Sequence, residues 1–478
     1  MTRIAFVQNL AYEYLGVMYL SASLKQAGHE VQAFIRERSE EALAREVLEF
    51  APDLVAFSCT TGIHHWALHF AGLLKRYRPV PTIFGGPHAT FFPELIEQPS
   101  VDVICRGEGE EAIVEIADRL DSGKPIDGTL NCHIKRNGQI VRNDLRPLIG
   151  DLDCLPNPDR SVYRAKYPYL DKTQAAFMAG RGCPFRCSFC FNHALRKLYE
   201  GRGRFVRVRK PERVVDEIVE AKSRWNLRTI YMQDDTFILD KRWVQEFSEL
   251  YRERVGLPML CLVRADQADE ASIAALKRAG VKNIFFGIES GDETLRNELL
   301  KKGVTDQDIY RTAALLRKHG IRFRTYNMVG LPGETLQQAL KTLRINAEIR
   351  TDFPWCAIFH PFPGTELGEF AARSDLLMRS PEDAPPSFFK ESIIRLPQAN
   401  EVVNLQKLFY YGVRFPRLIP LIDRIIRLRP NPIFEFLFLT GYAVSLYGSE
   451  NLTLGEIASI GLRNVRQFFY GKSQRNTG

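Results

Sequence analysis

The sequence predicts an α/β protein with two successive α/β domains and a mostly helical C-terminal region. The first is a Rossmann-like parallel sheet, and the second is a partial (β/α)6 barrel of the TIM type. Short apolar runs of strand length alternate with amphipathic helical stretches over most of the chain, which is typical of parallel sheets covered by helices. A break at Pro156-Asn157-Pro158 separates two such series, and the last hundred residues lack the alternation. A length of 478 residues also favours more than one domain.

The first series predicts five parallel strands. A helical pattern over Val17–Ala27, closed by Gly28, follows the first of them. Ligands on a doubly wound sheet bind at the carboxyl ends of its strands, and these ends carry small or polar residues in Ser58–Gly62, Gly85–His88 and Arg106–Glu110. The predicted strands are Ile4–Val7, Val31–Ile35, Leu54–Ser58, Thr82–Phe84 and Val101–Cys105.

A connector follows, and an Asn-Gly pair at 137–138 between apolar flanks predicts a β-hairpin within it. The predicted division is therefore a first domain at 1–125, a connector with a hairpin at 126–170, a barrel at 171–375 and a helical region at 376–478.

The second series predicts six βα units, which suit a partial barrel with an enclosed site at its carboxyl mouth. Proline starts the predicted helix Pro211–Trp225, and Gly280 ends the helix Ala268–Ala279. The predicted strands are Ala175–Ala179, Thr229–Met232, Met259–Val263, Asn283–Phe286, Arg322–Met328 and Trp355–Phe359.

Composition narrows the class of protein. A net charge of +8 over 478 residues is that of an ordinary solvated surface, and we predict no nucleic-acid partner. Nine cysteines are too few for a disulfide scaffold, so we expect thiols or metal ligands. The N-terminus enters a predicted strand at once and has no pattern of a signal peptide, so we expect a cytoplasmic protein.

Three cysteines in a Cys-x3-Cys-x2-Cys pattern, Cys183, Cys187 and Cys190, follow the first strand of the second series. Clusters of the [4Fe–4S] type normally use four cysteine thiolates, so three would leave one iron open for a ligand. A zinc site that takes His193 as its fourth ligand is the alternative, as are three ordinary thiols.

This cysteine pattern, with aromatic Phe189 before the last cysteine, resembles the signature of the radical S-adenosylmethionine (SAM) superfamily. The resemblance implies that the three cysteines hold a [4Fe–4S] cluster whose open iron chelates SAM. It implies reductive cleavage of SAM to a 5′-deoxyadenosyl radical, with an electron from a flavodoxin- or ferredoxin-type donor. It implies no catalytic residue beyond the cluster ligands.

Further segments resemble the family in the same order along the chain. Asp234 and Asp235 correspond to the segment that receives the SAM amino group, although they also suit a helix N-cap. Arg264 either faces the site or forms a salt bridge at the barrel mouth. The remaining SAM contacts that the resemblance implies are Phe189, Glu289, Ser290, Gly330 and His360.

The N-terminal domain is similar to the cobalamin-binding domain of class B radical SAM enzymes. The chain lacks the Asp-x-His-x-x-Gly motif that supplies a lower histidine ligand to cobalt in other cobalamin proteins, as members of this class commonly do. A sheet that has lost its cofactor is the alternative. The cobalamin contacts that we predict are Ser58, Thr60, Gly85, Gly86, His88 and Glu108.

The two cofactors together imply C-methylation of an unactivated carbon in an apolar or natural-product substrate. A non-methylating rearrangement or cyclisation is the alternative, as in the anaerobic magnesium-protoporphyrin ester cyclase. A protein that senses cobalamin or redox state is a third hypothesis.

The C-terminal region begins with a basic amphipathic stretch at Asn404–Leu428, and a strongly apolar stretch follows at Ile433–Leu446. Packing against the barrel is one interpretation of these residues. Peripheral contact with a membrane, and with it a lipid substrate, is the other hypothesis. The apolar stretch is too short to span a bilayer and contains Glu435.

Overall fold

A computed structural model describes residues 1–381 and 387–451 and the single residues 453, 455, 456, 458 and 463. The described chain forms two compact units. The first comprises Met1–Asp171 and Tyr199–Arg204, together with Ala458 and Arg463 near the C-terminus. The second comprises the described residues within Lys172–Leu198 and Phe205–Ile457.

The first unit is a doubly wound α/β sheet. Its described strands pair in the order β2-β1-β3-β4-β5-β6-β7, with β1 to β5 parallel and the last two antiparallel. Its elements are β1 Arg3–Gln8, α1 Leu15–Gln26, β2 Glu30–Ile35, α2 Glu40–Glu49, β3 Leu54–Ser58, α3 His64–Tyr77, β4 Thr82–Gly85, α4 Gly86–Phe91, β5 Val103–Cys105, α5 Glu110–Asp121, β6 Cys132–Arg136, β7 Gln139–Arg142 and α6 Ser161–Arg164.

The hairpin predicted at the Asn-Gly pair is confirmed, because β6 and β7 pair antiparallel with Arg136 opposite Gln139. Asn137 and Gly138 both have positive φ, at 50° and 78°, which a tight two-residue hairpin turn requires. The hairpin extends the sheet of the first unit, since β6 also pairs with β5. The four predicted domain ranges remain predictions.

The second unit is a parallel sheet in which sequence neighbours pair in the order β15-β14-β13-β12-β11-β8. Helices separate its strands, as predicted. The elements are β8 Gln174–Phe177, β9 Gly180–Arg181, α7 Phe191–Leu198, β10 Arg207–Val208, α8 Pro211–Arg224, β11 Thr229–Met232, α9 Lys241–Arg254, β12 Met259–Leu262, α10 Glu270–Ala279, β13 Val281–Glu289, α11 Asp306–Lys318, β14 Arg322–Val329, α12 Leu336–Glu348, β15 Phe353–Ile358, α13 Glu366–Arg373, α14 Ala399–Arg414, α15 Ile419–Ile425 and α16 Pro432–Glu450.

Alternate residues of these six strands face different surroundings. On β13, Ile284, Phe286 and Ile288 belong to a fully buried core with the surrounding helices. The residues between them face the concave side of the sheet, which we call the lumen. Several lumen residues are only half-buried: Ala176, Met178, Tyr231, Leu262, Gly287, Tyr326, Met328, Trp355 and Ala357. A partial barrel results, as predicted, and part of its interior is accessible.

The C-terminal helices differ in one respect from the sequence prediction. The amphipathic pattern over Asn404–Leu428 continues through two helices, α14 and α15, because the chain breaks at Phe415 and Pro416. Proline has no N–H for the helical ladder and starts a new turn more readily than it continues one. Across the described residues, no helix is both long enough and apolar enough to cross a bilayer.

Candidate active site

The three cysteines lie on the loop between β9 and α7. Gly182 precedes them with φ of +87°, and a Cβ there would lie 2.4 Å from the carbonyl oxygen of Phe205, so only glycine fits. The amide of Cys190 donates to the carbonyl of Cys187 at 3.1 Å, which closes a tight turn. Cys187 is buried, whereas Cys183 and Cys190 are half-buried. All three thiols therefore belong to one short, backbone-fixed segment.

Arg264 lies beside this loop at the end of β12. Its Nη1 is 3.6 Å from the Sγ of Cys187, and its guanidinium stacks 3.7 Å from the centre of the Phe185 ring. Its Nε also forms an ion pair with Asp266 at 2.7 Å. Arg264 thus contacts Cys187 and also forms a salt bridge, and its contact with SAM stays a prediction. A buried cation at this position favours thiolates and the negative charge of an iron–sulfur centre.

Burial raises the pKa of Cys183, and it raises the pKa of Cys190 to about 11. Thiols in this state must lose protons when metal binds, which couples loading of the site to pH. His193, the candidate zinc ligand, directs its ring to Glu366 at 3.9 Å and to Arg196 at 3.5 Å. Among the described residues, no group of three or more His, Cys, Asp or Glu side chains converges to hold a single metal ion. A [4Fe–4S] cluster binds each cysteine through a different iron, so its ligands need not converge on one point.

The two adjacent aspartates, Asp234 and Asp235, differ in burial and in hydrogen-bond partners. The Oδ1 of Asp234 accepts hydrogen bonds from the amides of Gly180 at 2.7 Å and Ala179 at 3.0 Å, and burial raises the pKa of Asp234 to about 7. It therefore fixes the backbone that leads into the cysteine loop. Asp235 is exposed and accepts from the Nδ2 of Asn192 at 2.7 Å. Of the pair, Asp235 is the carboxylate open to a ligand.

Glu289 ends β13 in an unusual backbone conformation, with φ of +67° at an irregularity in the β13–β14 register. A non-glycine residue in this region costs energy, and such residues are enriched at functional sites and in turns. Its Oε1 forms a buried ion pair with the Nζ of Lys302 at 3.0 Å. The carbonyl of Lys302 in turn accepts from Arg264, so one chain of contacts joins the cysteine loop to Glu289.

Lys302 and Asp266 were not singled out from the sequence. Lys302 is 13 residues from Glu289, and no local pattern marks that pairing. Ser290, which the sequence did single out, is fully buried, and its Oγ accepts from the amide of Asp292 at 3.2 Å. The structure places its side chain in a turn and not on the lumen.

Gly330 begins the turn after β14 with φ of +77°. The Oε2 of Glu334 accepts from the amide of Gly330 at 2.6 Å and from that of Leu331 at 3.2 Å, while its Oε1 is buried without a partner. Burial raises the pKa of Glu334 to about 7. Glu334 is thus a positioning residue for the glycine turn.

The two predicted aromatic contacts lie in the same region of the second unit. His360 is buried, and its Nε2 lies 2.8 Å from the carbonyl of Glu391. Phe189 packs against an apolar cluster that also includes Leu331 and Phe359. The carboxyl ends of β8, β11, β12, β13, β14 and β15 thus carry the candidate SAM residues around one edge of the sheet.

The opposite end of the lumen is closed by the last turn of α16. The Nη1 of Arg324 forms an ion pair with Glu450 at 2.8 Å, and its Nη2 also contacts Ser449. Asn283 donates to the carbonyl of Ser449 at 2.6 Å. Because Arg324 and Asn283 lie in the first half of their strands, α16 forms a floor beneath the aromatic side chains of the lumen.

In the first unit, Ser58, Thr60, Gly85 and Gly86 lie together at the ends of β3 and β4. A Cβ on Gly86 would lie 2.9 Å from the backbone of Cys59, so the two strand ends approach too closely for a larger residue. The strand order reverses direction between β1 and β3, next to these residues, which is where doubly wound sheets bind ligands. The small side chains leave that edge open for a large cofactor.

The other two predicted cobalamin residues have partners of their own. The ring of His88 is buried and stacks 3.6 Å from the ring of His64, and burial lowers the pKa of His88 to about 3. The carboxylate of Glu108 accepts from the amide of Ile149 at 3.2 Å. The fit to a cofactor therefore rests mainly on the four small residues.

Two family profiles match separate parts of the chain. The profile of the radical SAM superfamily matches residues 178–345, and the profile of the B12 binding domain matches residues 7–117. The two matches lie within the barrel and within the doubly wound sheet, respectively.

The chain is 30% identical over 372 residues to an uncharacterized methyltransferase of Pyrococcus horikoshii, a match that covers 76% of this chain and 79% of that protein. It is 27% identical over 369 residues to the anaerobic magnesium-protoporphyrin IX monomethyl ester cyclase of Rubrivivax gelatinosus, covering 73% of this chain and 65% of the cyclase. The chain thus spans just under two thirds of the cyclase.

Among solved structures, the radical SAM methyltransferase TsrM from Kitasatospora setae, with tryptophan substrate and a SAM analog bound, matches with a TM-score of 0.66 at 18% identity. The match covers 79% of this chain and 77% of TsrM. A second structure of TsrM, with cobalamin and a [4Fe–4S] cluster bound, gives a TM-score of 0.64 at 19% identity, covering 78% of this chain and 75% of that one. The two proteins share their fold.

Proposed function

The chain belongs to the cobalamin-dependent radical SAM enzymes, and we propose that it methylates an unactivated carbon of an apolar substrate bound in the lumen. Its cofactors are a [4Fe–4S] cluster, SAM and cobalamin. When bound, these groups supply one-electron cleavage of SAM to a hydrogen-abstracting radical and a methyl group for transfer. Because the family is one of enzymes, the sensor hypothesis is set aside.

The chain's own residues would hold these groups. Cys183, Cys187 and Cys190 are the proposed cluster ligands, since they share one rigid loop. Arg264 supplies a fixed positive charge beside Cys187, which offsets the negative charge of thiolates. Asp235, as the open carboxylate at this edge, is suited to pair with an ammonium group.

The observation that carries the proposed substrate class is the chemistry of the lumen. Between the cysteine edge and the floor, its half-buried side chains include Tyr231, Tyr326, Met328 and Trp355. Its main charged group, Arg324, is already paired with Glu450. Such a wall offers mainly aromatic and apolar contact and excludes water. An apolar substrate that reacts through radicals suits this surface.

The first test is spectroscopic and does not require the substrate. The full-length protein, reconstituted anaerobically with iron, sulfide and cobalamin, receives SAM labelled in its methyl group. Dithionite replaces the proposed flavodoxin- or ferredoxin-type donor. We expect iron–sulfur absorbance, 5′-deoxyadenosine and transfer of label to the bound cobalamin. The triple variant C183A/C187A/C190A should lose the absorbance and the nucleoside, while Cys154→Ala, which changes an exposed thiol, should keep both.

The second test adds an apolar extract of cells as the source of substrate. Labelled methyl in an extracted product would support the proposal. Formation of 5′-deoxyadenosine with no label on cobalamin or product would refute methylation, and absence of the nucleoside from loaded protein would refute the assignment of the cluster.

A non-methylating reaction is the second candidate, and the match to the Rubrivivax cyclase favours it. In that case the product would keep the carbon count of the substrate. Mass spectrometry of products formed from labelled SAM distinguishes the two reactions, because only methylation adds one labelled carbon.

A further inference from the structure

Exposed large apolar side chains are concentrated in one short segment of the chain. Of the 17 such side chains in the described residues, eight lie between positions 415 and 447, including Ile433 at 68% and Phe436 at 65% exposure. Isolated exposed apolar residues are ordinary, whereas a cluster marks an interaction surface. The eight are Phe415, Leu418, Leu421, Leu428, Ile433, Phe436, Val444 and Tyr447.

The exposed and buried residues of α16 form two separate stripes. Phe434, Phe438, Gly441, Ser445 and Ser449 are buried at helical spacing. Ile433, Phe436, Val444 and Tyr447 recur at a similar spacing on another side of the helix and are exposed. The helix therefore packs with one face and presents a second apolar face to solvent.

The segment before α16 is arranged in the same way. Ile422 and Ile426 are buried in a core shared with α14, and Phe434 of α16 belongs to the same core. Leu421 and Leu428 are more than half exposed. Both segments thus direct their exposed apolar residues away from one common core.

Arginines accompany these apolar residues. Arg414, Arg417, Arg424, Arg427 and Arg429 are all exposed. The carboxylates within 414–447 are Asp423 and Glu435. Asp423 lies 3.8 Å from Arg427, and Glu435 pairs with Lys407 at 2.9 Å. The surface is therefore both apolar and positively charged. We call these five arginines and the eight apolar residues the basic–apolar face.

We propose that the basic–apolar face docks the protein on the surface of an anionic lipid bilayer. Apolar side chains that enter the interface, with arginines reaching the headgroups, are the pattern of interfacial helices. Each arginine near such a surface adds attraction that falls with ionic strength. A partner protein with an acidic groove would complement the arginines. It would not require exposed aliphatic and aromatic side chains over so long a segment of the chain. This inference is independent of the proposed methylation.

The test measures co-sedimentation of the full-length holoenzyme with phosphatidylcholine vesicles that contain either none or 30% phosphatidylglycerol. We expect binding to the anionic vesicles at 0.1 M NaCl and much weaker binding to the neutral ones. The variants I433S/F436S and R417Q/R424Q should each lower the partition constant about tenfold or more. Matched changes elsewhere on the second unit, Phe370→Ser and Arg252→Gln, should alter it less than twofold, since both residues are exposed outside the face.

Raising NaCl to 0.5 M should weaken wild-type binding strongly. Failure of the wild type to bind anionic vesicles, or equal binding by all four variants, would overturn the proposal. So would a wild-type dimer that I433S/F436S converts to a monomer without any vesicle binding, because the face would then be covered by a second copy of the chain.

Discussion

The ion pair between Arg324 and Glu450 fastens α16, the floor of the lumen, to β14, and breaking it should loosen that floor. Both side chains are nearly inaccessible to solvent, with exposures of 4% and 12%. Arg324 also lies 4.7 Å from the ring of Phe285 and 5.4 Å from that of Trp355. Replacing Glu450 by leucine would leave a buried guanidinium whose remaining partners are these aromatic faces, Ser449 and the hydroxyl of Tyr326.

The expected magnitude follows from the burial. Removing one member of a buried ion pair typically costs about 3–5 kcal/mol, because the remaining charge stays desolvated. We expect about 3 kcal/mol for Glu450→Leu, since water reaches part of Glu450. Replacing both residues, as R324M/E450L, leaves no unpaired charge and should come within about 1 kcal/mol of the wild type.

Amide hydrogen exchange of α16 is the direct assay, because a local loss of about 3 kcal/mol should speed exchange in its last turns about 100-fold. The melting temperature of the second unit should fall by about 6–12 °C in Glu450→Leu. The reasoning is refuted if Glu450→Leu leaves the exchange rate in α16 within threefold of the wild type. It is also refuted if the loss of stability in R324M/E450L equals the sum of the losses in Arg324→Met and Glu450→Leu measured separately.

Three further predictions concern other positions. Burial raises the pKa of Glu334 to about 7, so the folded state binds its proton more tightly than the unfolded chain and stability should fall as pH rises from about 4.5 to 7. Glu334→Gln should remove this loss of stability at high pH. The melting temperature of the variant should match that of the wild type near pH 5 and exceed it at pH 8. A difference in melting temperature that does not change with pH would contradict this. Gly107 has φ of +71°, and a Cβ there would lie 1.9 Å from the hydroxyl of Tyr199. Thermal unfolding should therefore show that Gly107→Ala destabilises the first unit by about 2 kcal/mol or more. The control Gly123→Ala is also strained, at φ of +64°, but it has open space around the new Cβ and should cost less. Arg264→Gln removes the positive charge beside Cys187, which would stabilise the reduced, more negative cluster. The midpoint potential of the cluster should therefore become more negative in a redox titration followed by electron paramagnetic resonance. An unchanged potential would show that the charge has no such role.

The strands of the two sheets could be predicted from the sequence because each is a short apolar run that ends in glycine or polar residues. Leu54–Ser58 and Thr229–Met232 coincide with the observed strands at both ends. The Asn-Gly hairpin was equally clear, since its turn chemistry is local. The local conformation of a segment can therefore be predicted from its own residues.

The partners of the candidate residues were not recoverable in this way. Asp234 and Asp235 are adjacent and chemically identical, yet one binds two backbone amides and the other is open, which only the path of the preceding loop decides. Lys302 meets Glu289 across a turn of the chain with no periodic signal. The stack of His88 on His64 likewise depends on how α3 and α4 approach each other.

The helix that ends at Glu450 contacts Arg324 at the base of the lumen, and the distance from that base to the cysteine edge can be counted along β14. Arg324 at its base and Met328 near its rim lie four residues apart on β14, which is about 13 Å at about 3.3 Å per residue. If the proposed substrate is chain-like, this distance would limit how far it extends below the cysteine edge, and the carbon that reacts would depend on which end faces the base. Shortening or bulking the residues there should move the reacting position along a chain-like substrate, in the manner of a ruler.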